Sequence, residues 1–232
     1  MDESFSRAMD SLRSAAPGPD LSRHFVAVLP ISGAAVSTVG DFLGSRTLSA
    51  SDHTAARLDE LQFDLGEGPC WDAMRTARPV LVPDVRRRSV WPAFSPALLA
   101  EDVASIFAFP LVVGPLQIGA VDLYTRVPAV LDPEQTHRAG AMADVIGRQV
   151  LRRAIDDLGV DEPAAPDGFS RRLIHQATGM VLAQLDLTPD DARLVIQGHA
   201  FAVERSMMDV ATDIIEGRLD FSRQPTGIEA SE

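Results

Sequence analysis

Apolar residues recur along this chain at two different spacings, and each spacing predicts a different kind of secondary structure. In the first fifteen residues, Phe5, Met9 and Leu12 follow one another at intervals of four and three, the spacing of one face of an amphipathic helix. Four later runs are short, rich in β-branched and aromatic residues, and bounded by glycine and proline; they occupy residues 34–39, 80–82, 106–113 and 118–124. This second pattern predicts strands of a sheet.

Helical stretches separate the predicted strands. They cover residues 55–63, 69–76 and 94–104. Because the strands and helices do not alternate as regular βαβ units, the pattern favours an α+β sandwich.

A long helix is predicted to follow the sheet, at residues 132–158. Asp132 offers an N-cap oxygen, Pro133 takes the first helical position and Gln135 completes a capping box. Apolar residues keep to one side for about 25 residues, longer than an average globular helix, so this helix is suited to carrying a signal outward. Residues 159–168 are rich in proline, glycine and acidic residues, which predicts an interdomain linker.

Three short helices are predicted beyond the linker, and their capping residues mark where each begins. Ser170, Thr188 and Ser206 are the expected N-caps, and Gly217 is the expected stop after the third helix. The positions predicted to face inward are Leu173, Ile174, Ala177, Val181, Leu185, Ala192, Val195, Ile196, Val203, Val210, Ala211, Ile214 and Ile215. The pattern predicts a compact three-helix unit, with a disordered tail at residues 222–232.

Charge and composition limit the functions open to the chain. Its formal net charge is −12, and all 21 basic residues are arginine. An acidic chain does not bind nucleic acid through its whole surface, so any such contact must be local. No apolar stretch is long enough to cross a membrane, and the acidic N-terminus lacks the features of a secretory signal. We expect a cytoplasmic protein with no membrane or DNA partner.

Catalytic chemistry has little support in the sequence. The 5 histidines lack the spacing that holds a metal on one helix face, and no phosphate-binding glycine loop or nucleophile motif is present. The single cysteine, Cys70, excludes an internal disulfide or a CxxC pair. We therefore expect no metal site, no cofactor and no enzymatic activity.

Two sets of motifs resemble known families. The first half carries LQFDLGEGPC at residues 61–70, WP at 91–92, FPL at 109–111 and IGA at 118–120, and it resembles a GAF sensor domain. Residues 169–221 carry IHQATGM at 174–180, DA at 191–192, HAFA at 199–202 and DVA at 209–211, and they resemble an ANTAR domain, an RNA-binding transcription antitermination module. Together the two halves are similar to actinobacterial GAF-ANTAR proteins.

This resemblance implies a fold, a domain division and a function. The fold is an α+β GAF-type antiparallel sheet sandwiched by helices at residues 1–158, followed by an all-α ANTAR-like domain at residues 169–221. The function is a signal-responsive transcription antitermination regulator. A small-molecule or redox signal sensed by the GAF domain controls a homodimer whose ANTAR domains hold paired RNA stem-loops in a nascent transcript.

The candidate RNA-binding residues lie in the ANTAR-like half. They are Arg171, Arg172, Gln176, Thr178, Gly179, His199 and Arg205. The arginines are suited to phosphates, whereas the glutamine and the histidine are suited to hydrogen-bonding exposed loop bases. Small residues also let helices approach closely, so packing is the alternative role for Ala177 and Gly179.

The candidate ligand pocket lies in the GAF-like half. Its lining is expected to be Cys70, Trp71, Trp91, Phe94 and Tyr124, because pockets are mostly apolar with a few polar groups. Core packing is the competing role for the aromatic residues. The cysteine follows Gly-Pro at a predicted helix start, where a thiol becomes more reactive, and its alternative role is that of a small buried apolar residue.

Charge leaves a second function open. Gln197 stands where relatives commonly carry arginine, and residues 170–221 hold five arginines against eight acidic residues, a net charge of −3. A net-negative module neutralises RNA phosphate poorly, so the alternative is a degenerate ANTAR-like domain that binds a protein partner. A GAF-type reductase, which requires turnover at Cys70, is the third hypothesis.

Overall fold

The computed structural model describes residues 3–14, 20–39, 43–87, 90–157 and 172–223. The chain divides into two compact units, Met1–Ser170 and Arg171–Glu232, and each is described by itself. The predicted linker at residues 159–168 and the predicted cap Ser170 lie outside the described residues, as do residues 224–232 of the predicted tail.

A five-stranded antiparallel sheet forms the centre of the first unit, with the strand order β2-β1-β5-β4-β3. The strands are β1 Gly33–Thr38, β2 Arg46–Ala50, β3 Val80–Val82, β4 Ser105–Val113 and β5 Leu116–Thr125. Four of them, β1, β3, β4 and β5, are the predicted strands, each within two residues at either end. Because β1 pairs with β5, the middle of the sheet joins parts of the unit that are distant in sequence.

Helices cover both faces of this sheet, as the α+β sandwich prediction requires. They are α1 Glu3–Ser14, α2 Leu21–Val28, α3 His53–Leu65, α4 Pro69–Thr76, α5 Phe94–Leu98 and α6 Pro133–Asp157. On one face, Phe107 and Leu123 of the sheet pack in a single apolar cluster with Leu12 of α1, Phe25 of α2 and Met142 of α6. Helices α3 to α5 cover the opposite face. The predicted fold class is confirmed.

Helix α6 begins where the sequence predicted. Asp132 Oδ1 accepts a hydrogen bond from the Gln135 backbone N–H at 2.8 Å, and Gln135 Oε1 accepts one from the Asp132 N–H at 2.9 Å, a reciprocal capping box. The helix also contacts α1, where the guanidinium carbon of Arg138 lies 5.3 Å from the centre of the Phe5 ring. Helix α6 is therefore part of the core of the first unit.

One strand and one α-helix of the first unit were not predicted, β2 and α2. Strand β2 turns Thr47 and Ser49 inward, where Thr47 donates to Asp59 and the Ser49 hydroxyl accepts from the Ser22 N–H at 3.0 Å. A search for alternating apolar residues misses such a strand, because its buried side chains are polar and are paired with other polar groups. Helix α2 has only 8 residues, and Asp20 makes no side-chain cap to mark its start.

The helix predicted at residues 94–104 is shorter than expected and ends at Leu98. The backbone N–H of Ala104 donates to the Thr125 carbonyl at 2.8 Å, so this part of the chain is already paired with the sheet. A backbone group committed to a neighbouring strand cannot also continue a helix.

The second unit contains α7 Arg172–Leu185, α8 Pro189–Ala202 and α9 Met207–Ile215, followed by a 3₁₀ turn at Phe221–Arg223. Two predicted caps are confirmed: Thr188 Oγ1 accepts from the Asp191 N–H at 3.2 Å, and Ser206 Oγ accepts from the Asp209 N–H at 3.0 Å. Gly217 adopts a φ of 73° just after α9, the left-handed conformation expected of a helix stop.

The core of the second unit is narrower than the apolar pattern predicted. Ile174, Ala177, Val181, Ala192, Ile196, Val210, Ala211 and Ile214 are buried as expected. Leu173, Leu185 and Val203 were predicted to face inward but are exposed. Since they lie in the first or last turn of a helix or just beyond it, the bundle no longer covers the positions that periodicity assigned to its core.

Candidate functional site

Helix α7 exposes part of the surface predicted to contact RNA. Gln176 and Gly179 are exposed, whereas Thr178 is half-buried. The Thr178 hydroxyl donates to the Ile174 carbonyl at 2.7 Å, a bond within the helix that leaves the hydroxyl oxygen only as an acceptor. Arg171 and the side chain of Arg172 lie outside the described part of the chain.

The two small residues of α7 have different surroundings. Ala177 is fully buried in the three-helix core, so close packing accounts for it. Among the described residues, a Cβ added to Gly179 meets no atom within 4 Å. Because glycine in the middle of a helix costs about 1 kcal/mol relative to alanine, and no packing by the described residues requires it, Gly179 is a position with an unexplained structural cost.

His199 and Arg205 extend the candidate surface beyond α7. The His199 ring, near the end of α8, makes an edge contact with Phe221 at 5.4 Å between ring centres. Arg205 lies between α8 and α9 and pairs with Asp213, its Nη1 2.6 Å from Oδ2. These contacts fix the histidine ring and the guanidinium against neighbouring elements of the same unit.

Asp213 holds a second arginine that the sequence analysis did not select. Its Oδ1 accepts from Arg218 Nε at 2.6 Å, so one carboxylate on α9 holds two guanidinium groups. Hydrogen bonds from Arg205 and Arg218 lower the pKa of Asp213. Arg218 follows the left-handed turn at Gly217, and an acidic residue one turn before such a stop was the sequence signal for this pairing.

The aromatic residues of the predicted GAF pocket fall into two buried clusters. Trp91, Phe94 and Tyr124 share one cluster, in which the tryptophan and phenylalanine rings meet edge to face at 6.1 Å. Cys70 and Trp71 belong to another cluster. The structure therefore brings three of the five predicted residues together and places the other two beside a different part of the sheet.

Polar anchors fix several of these residues in the core. The Tyr124 hydroxyl donates to Asp52 Oδ1 at 2.9 Å, and the Trp91 indole N–H donates to Asp72 Oδ2 at 3.2 Å. The Cys70 side chain is buried, with the residue only 2% exposed. Burial keeps a thiol away from soluble oxidants.

A cluster of buried polar groups, centred on Gln62 of α3, lies on the sheet face that α3 to α5 cover. The sequence analysis did not predict this cluster. Gln62 Nε2 donates to Asp122 Oδ2 at 2.8 Å, and Gln62 Oε1 accepts from the Cys70 backbone N–H at 2.8 Å. The Trp71 indole N–H donates to the Gln62 carbonyl at 2.6 Å. One side chain thus connects the central strand β5 with the start of α4.

The LGEGPC motif allows this connection. Gly68 has a φ of 134°, and a Cβ added there lies 2.6 Å from Gln62 Oε1. Any other residue is disfavoured by both its backbone conformation and its contact with Gln62. The glycine before Pro69 is therefore explained by the buried glutamine.

Asp122 has an unusual environment for a carboxyl group. It is only 4% exposed, and burial raises its pKa well above the ordinary value. The charge of Asp59 raises the pKa of Asp122 further, while the hydrogen bond from Gln62 lowers it. Within the described residues, Asp122 Oδ1 and the hydroxyl of Ser37 have no hydrogen-bond partner.

Across the described ranges, no group of three or more histidine, cysteine, aspartate or glutamate side chains is arranged to hold a metal ion. No helix within those ranges is long and apolar enough to span a membrane.

Solved structures identify the fold of the first unit. The chain is similar to the GAF domain of a phosphoenolpyruvate-protein phosphotransferase from Coxiella burnetii, with 13% identity and a TM-score of 0.52 over 68% of this chain and 96% of that one. The corresponding Acinetobacter domain gives 8% identity and a TM-score of 0.53, covering 70% of this chain and all 100% of that one. These similarities establish a GAF-like α+β fold.

A larger relative shares the same fold. The chromophore-binding domain of a bacteriophytochrome from R. palustris has 12% identity and a TM-score of 0.52, over 68% of this chain. The match spans 61% of the length of that domain. No curated protein matches the sequence.

Family models identify both halves. The GAF domain model matches residues 21–149, more than half of the chain, and the ANTAR domain model matches residues 170–215. The chain belongs to the GAF domain family and carries an ANTAR domain after its GAF domain. This architecture implies a signal-responsive antitermination regulator and is typical of non-enzymatic regulators, and the ANTAR domain implies RNA binding.

Proposed function

We propose that this protein is a transcription antitermination regulator whose GAF domain senses a small molecule and whose ANTAR domain binds paired RNA stem-loops. The observation that carries the proposal is the order of domains on one chain, a GAF domain followed by an ANTAR domain. A homodimer supplies the two ANTAR domains that a pair of stem-loops requires. Acting on nascent transcripts places the protein in the cytoplasm.

A small-molecule signal is favoured over direct oxidation of Cys70. A redox-sensing thiol is exposed and easily deprotonated, whereas Cys70 is buried among Val39, Met74 and Ala120. Its backbone N–H also bonds to Gln62, so Cys70 has a structural role at the start of α4.

The RNA surface is proposed to centre on α7. Arg171 and Arg172 supply phosphate contacts, and Gln176 and His199 contact loop bases. Arg205 adds a further phosphate contact, and Thr178 offers its hydroxyl oxygen as an acceptor. The open space around Gly179 supports close approach by an RNA backbone, since no packing by the described residues of the unit explains a glycine there.

The decisive experiment measures binding of the full chain to an RNA with two adjacent short stem-loops. A loop-scrambled RNA serves as the specificity control, and Arg171→Ala/Arg172→Ala is the test variant. Its matched control is Arg86→Ala/Arg87→Ala, which removes two adjacent exposed arginines from the GAF domain. We expect the test variant to weaken binding at least tenfold, because each lost phosphate contact removes part of the electrostatic affinity.

The outcome also separates the proposal from its alternative. The ANTAR half has a net charge of −3, and Leu194 and Phe201 of α8 are exposed, features that suit a protein partner. If the unaltered protein does not distinguish the dual stem-loop from the scrambled RNA, even at low salt, antitermination by RNA binding is wrong. The exposed face of α8 then becomes the surface for a partner search.

A further inference from the structure

The register of the central strands places Ser37 and Asp122 on the same face of the sheet. Ala35 of β1 lies directly opposite Asp122 of β5, and Ser37 lies two residues further along β1. Side chains two residues apart on a strand point to the same side, so Ser37 and Asp122 are diagonal neighbours. Both lie on the face covered by α3 and α4, because Asp122 bonds to Gln62.

Both side chains carry an oxygen for which the described protein supplies no partner. Ser37 is 1% exposed and Asp122 is 4% exposed, so bulk water does not satisfy these atoms either. Buried polar atoms in native proteins are nearly always hydrogen-bonded, and leaving one unpaired is costly. Two such atoms on neighbouring strands indicate a group that joins them in another state of the protein.

The polar atoms around these two oxygens favour a hydrogen-bond donor with positive charge. Asp59 of α3 is close enough to Asp122 for its charge to act on that carboxyl, so an arriving ligand meets two acidic groups. Thr47 directs its hydroxyl hydrogen at Asp59 and Gln62 directs its amide at Asp122, and neither adds positive charge. An anionic ligand is repelled by this arrangement, whereas a cation is stabilised.

The neighbours of Asp122 on the sheet are small. The residues directly opposite it are Ala35 on β1 and Ala108 on β4, and the residue opposite Ser37 on β5 is Ala120. Three alanines leave this part of the sheet surface without large side chains. The larger side chains begin one row away, at Ile106 and Tyr124, which suits a compact polar group.

We propose that this sheet face, with Asp122 and Ser37 at its centre, is the ligand site of the GAF domain and takes a small organic cation bearing an amine or guanidinium group. The cation's N–H groups donate to Asp122 Oδ1 and to the Ser37 hydroxyl oxygen, and its charge is balanced by Asp122 and Asp59. This inference rests on the proposed sensing function for its regulatory meaning, but the binding step itself requires no RNA.

A route for the signal follows from Gln62. The same glutamine holds Asp122 through its amide nitrogen and the start of α4 through its amide oxygen. A cation that binds Asp122 Oδ1 shares this carboxylate with Gln62, which bonds to Oδ2, and the Cys70 N–H bonds to the same glutamine side chain. Gln62 is therefore a positioning residue between ligand and helix.

The test uses the full chain and three probes of one shape: n-propylguanidinium, the neutral n-propylurea and the anionic butyrate. Binding is measured by calorimetry at constant ionic strength. We expect saturable binding of the guanidinium probe with one site per chain, at least tenfold weaker binding of the urea, and no binding of butyrate. Asp122→Asn is expected to weaken guanidinium binding at least tenfold, and Ser37→Ala severalfold.

The controls distinguish a lost site from a damaged fold. Asp144→Asn removes the same charge from an exposed position on α6 and should leave probe binding unchanged. Circular dichroism checks that each variant is folded, and Ser37→Ala decides the matter if Asp122→Asn does not fold. Equal binding of the guanidinium and urea probes, no guanidinium binding at tens of millimolar, or unchanged binding in folded variants overturns the proposal.

Failure of this proposal is distinguishable from failure of the proposed antitermination function. The same preparations are tested with the dual stem-loop RNA. Specific RNA binding without cation binding removes only the ligand assignment. Cation binding without specific RNA binding removes only the RNA function and leaves a GAF sensor with a different output.

Discussion

At the scale of single residues, the GAF domain buries polar groups, Gln62 and Asp122, as well as the aromatic side chains selected from the sequence. Sequence reasoning selected Trp91, Phe94 and Tyr124 as pocket residues because they are large and apolar, and all three are buried in one cluster. It overlooked Gln62 and Asp122, since polar residues within apolar runs carry no periodic signal. Their importance depends on a contact between residues 60 positions apart, which only the fold creates.

The pH dependence of stability tests the environment of Asp122. A carboxyl group whose pKa is raised on folding binds its proton more tightly in the folded state than in the unfolded state. Its contribution to stability is therefore greatest at low pH and is lost once the group is ionised in both states. Stability contributed by Asp122 should fall as the pH rises from the ordinary value of 3.8 towards its raised folded pKa. The amide of an Asp122→Asn variant does not titrate, so this variant should gain stability relative to the unaltered protein over that window.

Urea unfolding of both proteins at a series of pH values measures this difference. Asp144→Asn, at an exposed position, is the control and should follow the unaltered protein at every pH. Parallel curves for Asp122→Asn and the unaltered protein would show that the folded environment does not shift the titration of Asp122.

At the scale of helices and strands, capping residues in the sequence predicted where helices begin better than where they end. The capping residues Asp132, Thr188 and Ser206 each make the predicted bonds, because a cap is formed by residues within three positions of one another. The end of α5 and the polar strand β2 were not predictable in this way. Each depends on pairing with a part of the chain that is remote in sequence.

Helix α9 offers a test of how the ANTAR arginines are presented. Asp213 pairs with Arg205 from before the helix and with Arg218 from after it. On charge alone, Asp213→Asn should strengthen RNA binding by removing a negative charge. If Asp213 instead holds the two guanidinium groups side by side for phosphate, the variant should weaken binding, by roughly threefold or more.

The affinity of Asp213→Asn for the dual stem-loop RNA is best compared with that of Asp186→Asn. Asp186 is exposed and has a φ of 55°, a conformation that asparagine tolerates, so the control makes the same charge change without strain. Tighter binding by both variants would indicate that charge dominates and that Asp213 does not position the arginines.

At the scale of the whole molecule, the acidic charge restricts how RNA can be held. The net charge is −12, and the ANTAR half contributes five arginines against eight acidic residues. Composition predicts this restriction as a limit on where binding can occur. It could not reveal which arginines are paired, because the pairing with Asp213 depends on the turn at Gly217.

Salt dependence measures how many phosphates the protein contacts. If all five arginines of each ANTAR half in the proposed homodimer touch phosphate, ten contacts in all, the logarithm of the association constant should fall with the logarithm of salt concentration with a slope of about −7. Gel-shift titrations across a range of salt concentrations provide the slope. A distinctly steeper value would require arginines of the GAF domain to join the interface, contrary to an RNA site confined to the ANTAR half.

The contact between α1 and α6 has a consequence for synthesis on the ribosome. These are the first and the last helix of the first unit in chain order, and both help to cover the sheet face that carries Phe107 and Leu123. During translation the part of that face that α6 covers stays exposed until α6 has emerged, so we expect the sensor to complete its folding late. The three-helix unit, with its short-range contacts, then folds rapidly behind a finished sensor.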